Sequence, residues 1–339
     1  MKRFLIKAGA LTLLVLATVS TVFLLPIPYS DNLSAIVNKR DLLKDGRRDR
    51  IVFVGGSGLF DGLDSGLVEQ RLRRPVVNMG LYAGFAITPL LREIRPFLRS
   101  GDTVVIVPEY SVVFDALDFQ ARKWVFALAP ARNLRLYREG QNRTLAFLTD
   151  MTGLLRSKLQ ALPKAVREAV RTRRLAPLVG EGYAYYGKYF NLYGDSLRTM
   201  RAAVPGVIEQ TGVDLFADAA YRDQSFASVN AFCREVRGMG VQALFFFPAY
   251  PEEEYRRQEE AMKLYEARLR KELDCRILGT PQDFLYPYEY FTNTVNHINN
   301  EARRIRTERV LAYLERAVMP QGFGERRVKN ENKVVKQYP

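Results

Sequence analysis

A serine in a glycine turn and a lone histidine are the residues of this 339-residue chain best suited to do chemistry. Ser57 sits in Val54-Gly55-Gly56-Ser57-Gly58, where the apolar run Ile51-Val52-Phe53-Val54 breaks into glycines. Glycine permits a tight turn straight off a strand, which exposes the hydroxyl at the carboxyl edge of a sheet. The Ser57 backbone N–H, opening the next segment, could hold an oxyanion there. His297, the only histidine, lies just before the last helical pattern. First and last connections of an α/β sheet commonly meet at one edge, so a serine nucleophile and an imidazole base could converge from opposite ends of the chain. Acyl transfer through a covalent ester is the chemistry of such a pair. The same turn could cradle a phosphate, although it lacks the lysine of a P-loop and the third glycine of a dinucleotide fingerprint. A structural turn serine and a capping or packing histidine are the plain alternatives.

Metal chemistry has little to draw on. Besides His297 there are two cysteines, Cys233 and Cys275, without the spacing of a zinc site, so neither a metal nor another cofactor is expected. Cys233 falls in a helical pattern and Cys275 just before a short strand. They could pair in an oxidising compartment or stay as buried thiols.

The elements that would carry Ser57 and His297 follow α/β spacing. Strands are predicted at 51–54, from Val76-Val77 to Asn78-Met79-Gly80, and at Thr103 to Val107, stopped by Pro108; helical patterns run through Leu67, Val68 and Leu72 and over about 89–98. Three such units in about 60 residues argue for a parallel sheet covered on both faces. The pattern resumes with a strand at Val241 to Phe247, a charged helix over about 252–273, a short strand at 276–278 and a last helix over about 299–317. Between the halves lies an insertion at about 111–220. It holds Trp124, a basic helical stretch from Leu154 to Leu175 and the aromatic segment from Tyr183 to Phe190. Tyrosines beside Arg and Lys could form a carbohydrate platform; a half-buried cap over the sheet is the plainer reading.

Composition and the N-terminus set the compartment. With 47% hydrophobic and 26% charged residues the chain can bury a full core, and 51 Lys+Arg against 37 Asp+Glu give +14. After Lys2, Arg3 and Lys7 no charge appears from Ala8 through Ser30, enough for one membrane helix at roughly 20 residues. The basic flank keeps the N-terminus in the cytoplasm and places everything after Asp31 outside it. Residues 1–30 thus read as an anchor, with a cleaved signal peptide as the other option. Residues 31–320 form the folded domain, and 321–339 are a basic tail expected to be disordered. An extracytoplasmic domain removes nucleic acid from the candidate partners, leaving anionic lipid or an acidic polymer to meet the positive charge.

Several of these residues also resemble a family. Ser57 in its turn, Asn78 and Gly80 after the second strand, and His297 before the last helix resemble the ordered blocks of the SGNH (GDSL-type) hydrolases, over about 51–110 and 241–317. Val107-Pro108-Glu109-Tyr110, the stretch Phe190 to Asp195, and His297-Ile298-Asn299 followed by Arg303, Arg304, Arg306 and Arg309 resemble a membrane-anchored bacterial subgroup. That subgroup is similar to the extracytoplasmic partners of membrane-bound O-acyltransferases, which act on exported or cell-wall polymers.

The resemblance implies a three-layer α/β/α, flavodoxin-like fold with a mainly parallel sheet, an N-terminal transmembrane helix and a mostly helical insertion. It implies that Ser57 attacks an acyl carbonyl, that His297 takes its proton, and that the Ser57 and Gly80 N–H groups hold the oxyanion. The family places an asparagine donor after its third strand, where this chain has Pro108-Glu109-Tyr110; Asn191 in the insertion is the candidate replacement. The family also carries an aspartate three or four residues before its histidine, where this chain has Asn293 and Thr294. An aspartate-to-asparagine change in a serine protease triad costs about 10⁴ in turnover, yet asparagine serves in Cys–His–Asn sites. Asp283 is another carboxylate that could substitute.

Two functions follow. One is a single-pass inner-membrane, periplasmic O-acyl esterase or acyltransferase acting on an acylated, anionic cell-envelope polysaccharide, alongside a membrane-bound O-acyltransferase partner. The other is a catalytically impaired protein of the same fold that binds the polysaccharide or assembles with that acyltransferase.

Overall fold

The computed structural model describes residues 1–25, 31–82, 86–110, 112, 114, 144–175, 189–198, 200–201 and 224–318. Trp124, the aromatic residues 183–188 and the tail 321–339 lie outside them. So do parts of the expected insertion.

A five-stranded parallel sheet organises the domain, in the order β2-β1-β3-β4-β6. β1 (Ile51–Gly55) and β3 (Thr103–Val107) are its central pair, and all ten of their residues are buried. Continuous apolar runs, rather than alternation, are what a parallel strand covered on both faces demands. β2 (Val76–Asn78) flanks β1, while β4 (Gln242–Phe246) and β6 (Arg276–Leu278) extend the other side. A separate parallel pair joins β5 (Tyr250–Pro251) to β7 (Leu285–Tyr286).

Ten helices accompany the strands among the described residues. α1 (Lys2–Leu24) is the apolar N-terminal helix, with a mean hydropathy of 1.9 over its most apolar window. It is long and apolar enough to cross a membrane. α2 (Asp31–Leu42) follows, then α3 (Ser57–Gly62), α4 (Ser65–Leu72) and α5 (Ile87–Ile94). α6 (Thr144–Thr172) is the long helix of the insertion, α7 (Ala227–Gly238) precedes β4, and α8 (Glu252–Arg257) and α9 (Glu259–Glu272) follow it. α10 (Asn300–Val318) closes the described chain. It packs against α3 and α4, whereas α7 packs against α5.

Several local features differ from the sequence reading. The charged stretch 252–273 is two helices, because Gln258 leaves helical geometry at φ −125°. The segment after Asn78 runs as a loop at Met79-Gly80, so the strand ends at Asn78, at the start of the expected strand end Asn78-Met79-Gly80. The pattern at 89–98 starts earlier, at Ile87, and tightens into a 3-10 turn at Arg95–Phe97 around Pro96. Cys233 on α7 and Cys275 before β6 form a disulfide, resolving the choice between a bond and two thiols.

The sheet's N-terminal edge is pinned by charge. Arg50 and Asp102, both fully buried, pair at 2.8 Å, and the Arg50 guanidinium also donates to the Leu43 and Phe97 carbonyls. Removing one member of such a pair strands a buried charge, at a cost of about 3–5 kcal/mol. That edge carries stability. The opposite, carboxyl edge is left for chemistry.

Candidate active site

Strand order decides where a site can form. From β1 the chain goes to β2 on one side and then to β3 on the other, so the connections diverge at the carboxyl ends of β1 and β3. Such a switch point leaves a crevice in which α/β sheets bind ligands. Gly55 and Val107 are register partners at the ends of these two strands. Ser57 and Glu109 each stand two residues beyond them, so both emerge at the crevice.

Ser57 opens α3 directly after the β1 turn, and Gly58 behind it lets another chain segment approach. A Cβ on Gly58 would lie 2.6 Å from the Asn296 carbonyl oxygen, too close for any side chain. That carbonyl belongs to a loop closed by the Phe291–Ile298 bridge and by Thr292 N–H donating to the His297 carbonyl at 2.9 Å. Asn299 then begins the last helix, its Oδ1 accepting the Ala302 N–H at 2.9 Å. The loop thereby presents Asn293 and His297 to the serine.

Ser57 Oγ lies 2.7 Å from His297 Nε2, and His297 Nδ1 lies 2.9 Å from Asn293 Oδ1. The Thr292 hydroxyl lies 3.0 Å from Asn293 Oδ1 and 3.2 Å from the His297 carbonyl oxygen, so its one proton serves one of these acceptors at a time. An acceptor at Nδ1 keeps the proton there and leaves the Nε2 lone pair facing Ser57. This is the tautomer a general base needs.

No protein-family model and no curated protein matches this chain.

Glu109 has a role that the sequence did not signal. Its Oε1 accepts the Gly58 N–H at 2.6 Å and stands 3.0 Å from Ser57 Oγ. Burial raises its carboxyl above the usual range, opposed by the Gly58 N–H, His297, Ser57 and Arg306. Two short contacts meet at Ser57 Oγ, one to Nε2 and one to Oε1, and the serine has a single proton to place between them. A second proton, carried by Glu109 or His297, completes the arrangement.

Arg306 lies beneath this group. Its buried guanidinium donates to the carbonyls of Gly58 at 2.8 Å and Gly62 at 3.2 Å, tying α10 to the helix that begins with Ser57. Burial lowers its pKa, opposed by Tyr286 and Glu109.

The residues proposed to hold an oxyanion are placed differently. Gly80 N–H donates to Asn78 Oδ1 at 2.8 Å, so it is already occupied by its neighbour's side chain. Asn78 Nδ2 in turn donates to Asp195 Oδ1 at 2.8 Å and to the Leu59 carbonyl at 3.2 Å. Asn191 is not brought to the serine: its Oδ1 accepts the N–H groups of Tyr193 and Asp195, each at 3.0 Å, building the turn that presents Asp195. Asp283 is likewise engaged elsewhere, accepting from Thr280 and from the Tyr313 hydroxyl at 2.7 Å around a 3-10 turn. Each of these side chains helps to close its own turn.

A second buried polar network supports the Asn78–Gly80 loop. Asp195 accepts from Ser65 N–H at 2.8 Å and Ser65 Oγ at 2.6 Å, and Arg303 lies 3.3 Å away. Lys39 of α2 donates to the Gly80 carbonyl and sits over the Phe60 ring, 4.2 Å from its centroid. Desolvation lowers its pKa to about 7, against the pull of Asp195 and Asp61. Among the described residues no cluster of His, Cys, Asp or Glu could hold a metal ion.

Proposed function

We propose that this protein is a membrane-anchored serine O-acyl esterase or acyltransferase of the SGNH type. The observation that carries the reading is the line of contacts Ser57–His297–Asn293 at a switch point of a parallel sheet. Ser57 Oγ attacks an acyl ester carbonyl while His297 Nε2 takes its proton. Collapse of the tetrahedral intermediate breaks the ester bond, and the imidazolium returns the proton to the departing alcohol oxygen. Water or a sugar hydroxyl then attacks the acyl-serine, with His297 as base again. The two helix groups, α10 with α3 and α4 and α7 with α5, fit a three-layer arrangement of that fold. A basic chain behind an N-terminal apolar helix fits a periplasmic domain on the inner membrane meeting an anionic, acylated polysaccharide, next to a membrane-bound O-acyltransferase.

One observation favours a second reading. The Gly80 N–H donates to Asn78, and a carboxyl oxygen of Glu109 occupies the Gly58 N–H, so two of the donors near the serine are already taken. A site without a ready oxyanion hole would suit a polysaccharide-binding or assembly role. The purified full chain in detergent separates the two. The enzyme reading expects hydrolysis of p-nitrophenyl acetate and fluorophosphonate labelling at Ser57, both lost in Ser57→Ala and His297→Ala. Absence of labelling and turnover in the unaltered chain supports the binding role.

A further inference from the structure

Helix α6 meets α1 near the C-terminal end of α1. Val22 is buried and Phe23 and Leu25 are half-buried, while residues 9–18 of α1 stand exposed. At the point of contact Lys158, buried within α6, donates to the carbonyls of Phe23 and Leu25 and lies 5.7 Å from the centroid of the Phe23 ring. The last carbonyls of a helix have no partner within it, and a cation satisfies both them and the helix dipole. α6 is therefore fixed at the end of α1 and does not run along it.

The surface of α6 is divided into three. Met151, Leu154, Lys158, Ala165 and Ala169 are buried and, at 3.6 residues per turn, share one stripe. Leu159, Val166 and Val170 form a second stripe about 100° further round. They are 47%, 44% and 73% exposed, so the described residues leave a large part of each side chain open. Arg156, Lys164 and Arg167 are exposed beyond that stripe. Glu168, on the side away from it, is paired with Arg171 at 2.5 Å.

An exposed aliphatic stripe bordered by cations is the pattern of a helix lying in a membrane interface, with its apolar side among the acyl chains and its cations at anionic headgroups. Its attachment to the end of α1 places α6 at the level where a membrane-crossing α1 leaves the bilayer. We propose that α6 lies on the anionic phospholipid surface of the membrane that α1 crosses. Leu159, Val166 and Val170 enter the acyl region, and Arg156, Lys164 and Arg167 bind phosphate headgroups. This rests on α1 being an anchor and is independent of the chemistry at Ser57. It would hold the domain in one orientation above the bilayer.

The test uses the full chain reconstituted in vesicles of phosphatidylcholine, with or without phosphatidylglycerol, some of the lipid brominated on its acyl chains. A fluorophore is attached in turn to Val166→Cys, to Val15→Cys in α1 and to Leu264→Cys on the exposed side of α9, the native cysteines being disulfide-bonded. Quenching at 15 reports the anchor. Expected is quenching at 166 several-fold stronger than at 264 in vesicles containing phosphatidylglycerol, reduced at least two-fold by Arg156→Glu, Lys164→Glu and Arg167→Glu together. Quenching at 15 with equal, weak quenching at 166 and 264 overturns the proposal alone. No quenching at 15 overturns the anchor and this proposal together. Strong quenching at 166 that ignores both phosphatidylglycerol and the charge reversals overturns the assignment to anionic headgroups.

Discussion

His297 Nδ1 is held 2.9 Å from the side-chain oxygen of Asn293, not from a carboxylate. In the proposed reaction the amide orients the ring for base catalysis but brings no negative charge to stabilise the imidazolium that would form as Ser57 gives up its proton. Asn293→Asp therefore raises the esterase rate, by at least ~10-fold and less than the about 10⁴ that separates the two residues in a serine protease triad. Asn293→Ala lowers it, because the ring loses its tautomer control. Steady-state hydrolysis of p-nitrophenyl acetate by the three forms measures both effects. An unchanged rate in Asn293→Asp would sink the claim that a missing charge limits the site, and an unchanged rate in Asn293→Ala would sink the orienting role.

Glu109 meets the same hydroxyl as His297, its Oε1 standing 3.0 Å from Ser57 Oγ. Glu109→Gln is expected to cut turnover by about 10²-fold, the lower range for a group that handles a proton in the transition state. The same substitution alters the pH dependence of stability. Burial raises the native carboxyl pKa, so the folded chain holds its proton to higher pH than the unfolded chain does. Stability from this group is full below the ordinary glutamate range and falls as pH rises from there through the raised native value. Thermal melts across that interval should show the unaltered protein losing ground to Glu109→Gln as pH rises. Parallel curves would contradict the buried-acid account.

Lys39 has the opposite sign. Its native pKa of about 7 lies below its unfolded value of 10.5, so between these two pH values the unfolded chain binds the additional proton. Stability from this group rises with pH across that window, and below about 7 the buried ammonium is fully penalised. Lys39→Met should flatten the rise, read from urea unfolding midpoints between pH 7 and 10. A rise that survives the substitution would assign the effect to other groups.

The Cys233–Cys275 bond closes a loop with a sequence separation of 42 residues, joining α7 to the start of β6. A cross-link of that span restricts the unfolded chain by about 4 kcal/mol. Reduction, or Cys275→Ser, should lower the melting temperature by several degrees without changing Ser57 labelling. Loss of labelling at temperatures where the fold persists would show that the bond also shapes the site.

By itself the sequence determined what depends on neighbours along the chain. The apolar runs at 51–54 and 103–107 pointed to buried strands, the charge-free stretch from Ala8 to a long apolar helix, and the glycines around Ser57 to a tight turn. It also marked Ser57 and His297 as a pair, which the structure brings to 2.7 Å. Only the tertiary structure decided that Glu109 reaches the serine, since this depends on the pairing of Gly55 with Val107 across two strands. The same holds for Asn191, drawn into its own turn, and for Lys39, whose carbonyl partner is 41 residues away. Periodicity and turn chemistry act over a few residues and can be read from order alone. The worth of a polar group depends on which distant segments remove its water and which atoms they offer in exchange, and folding alone settles that.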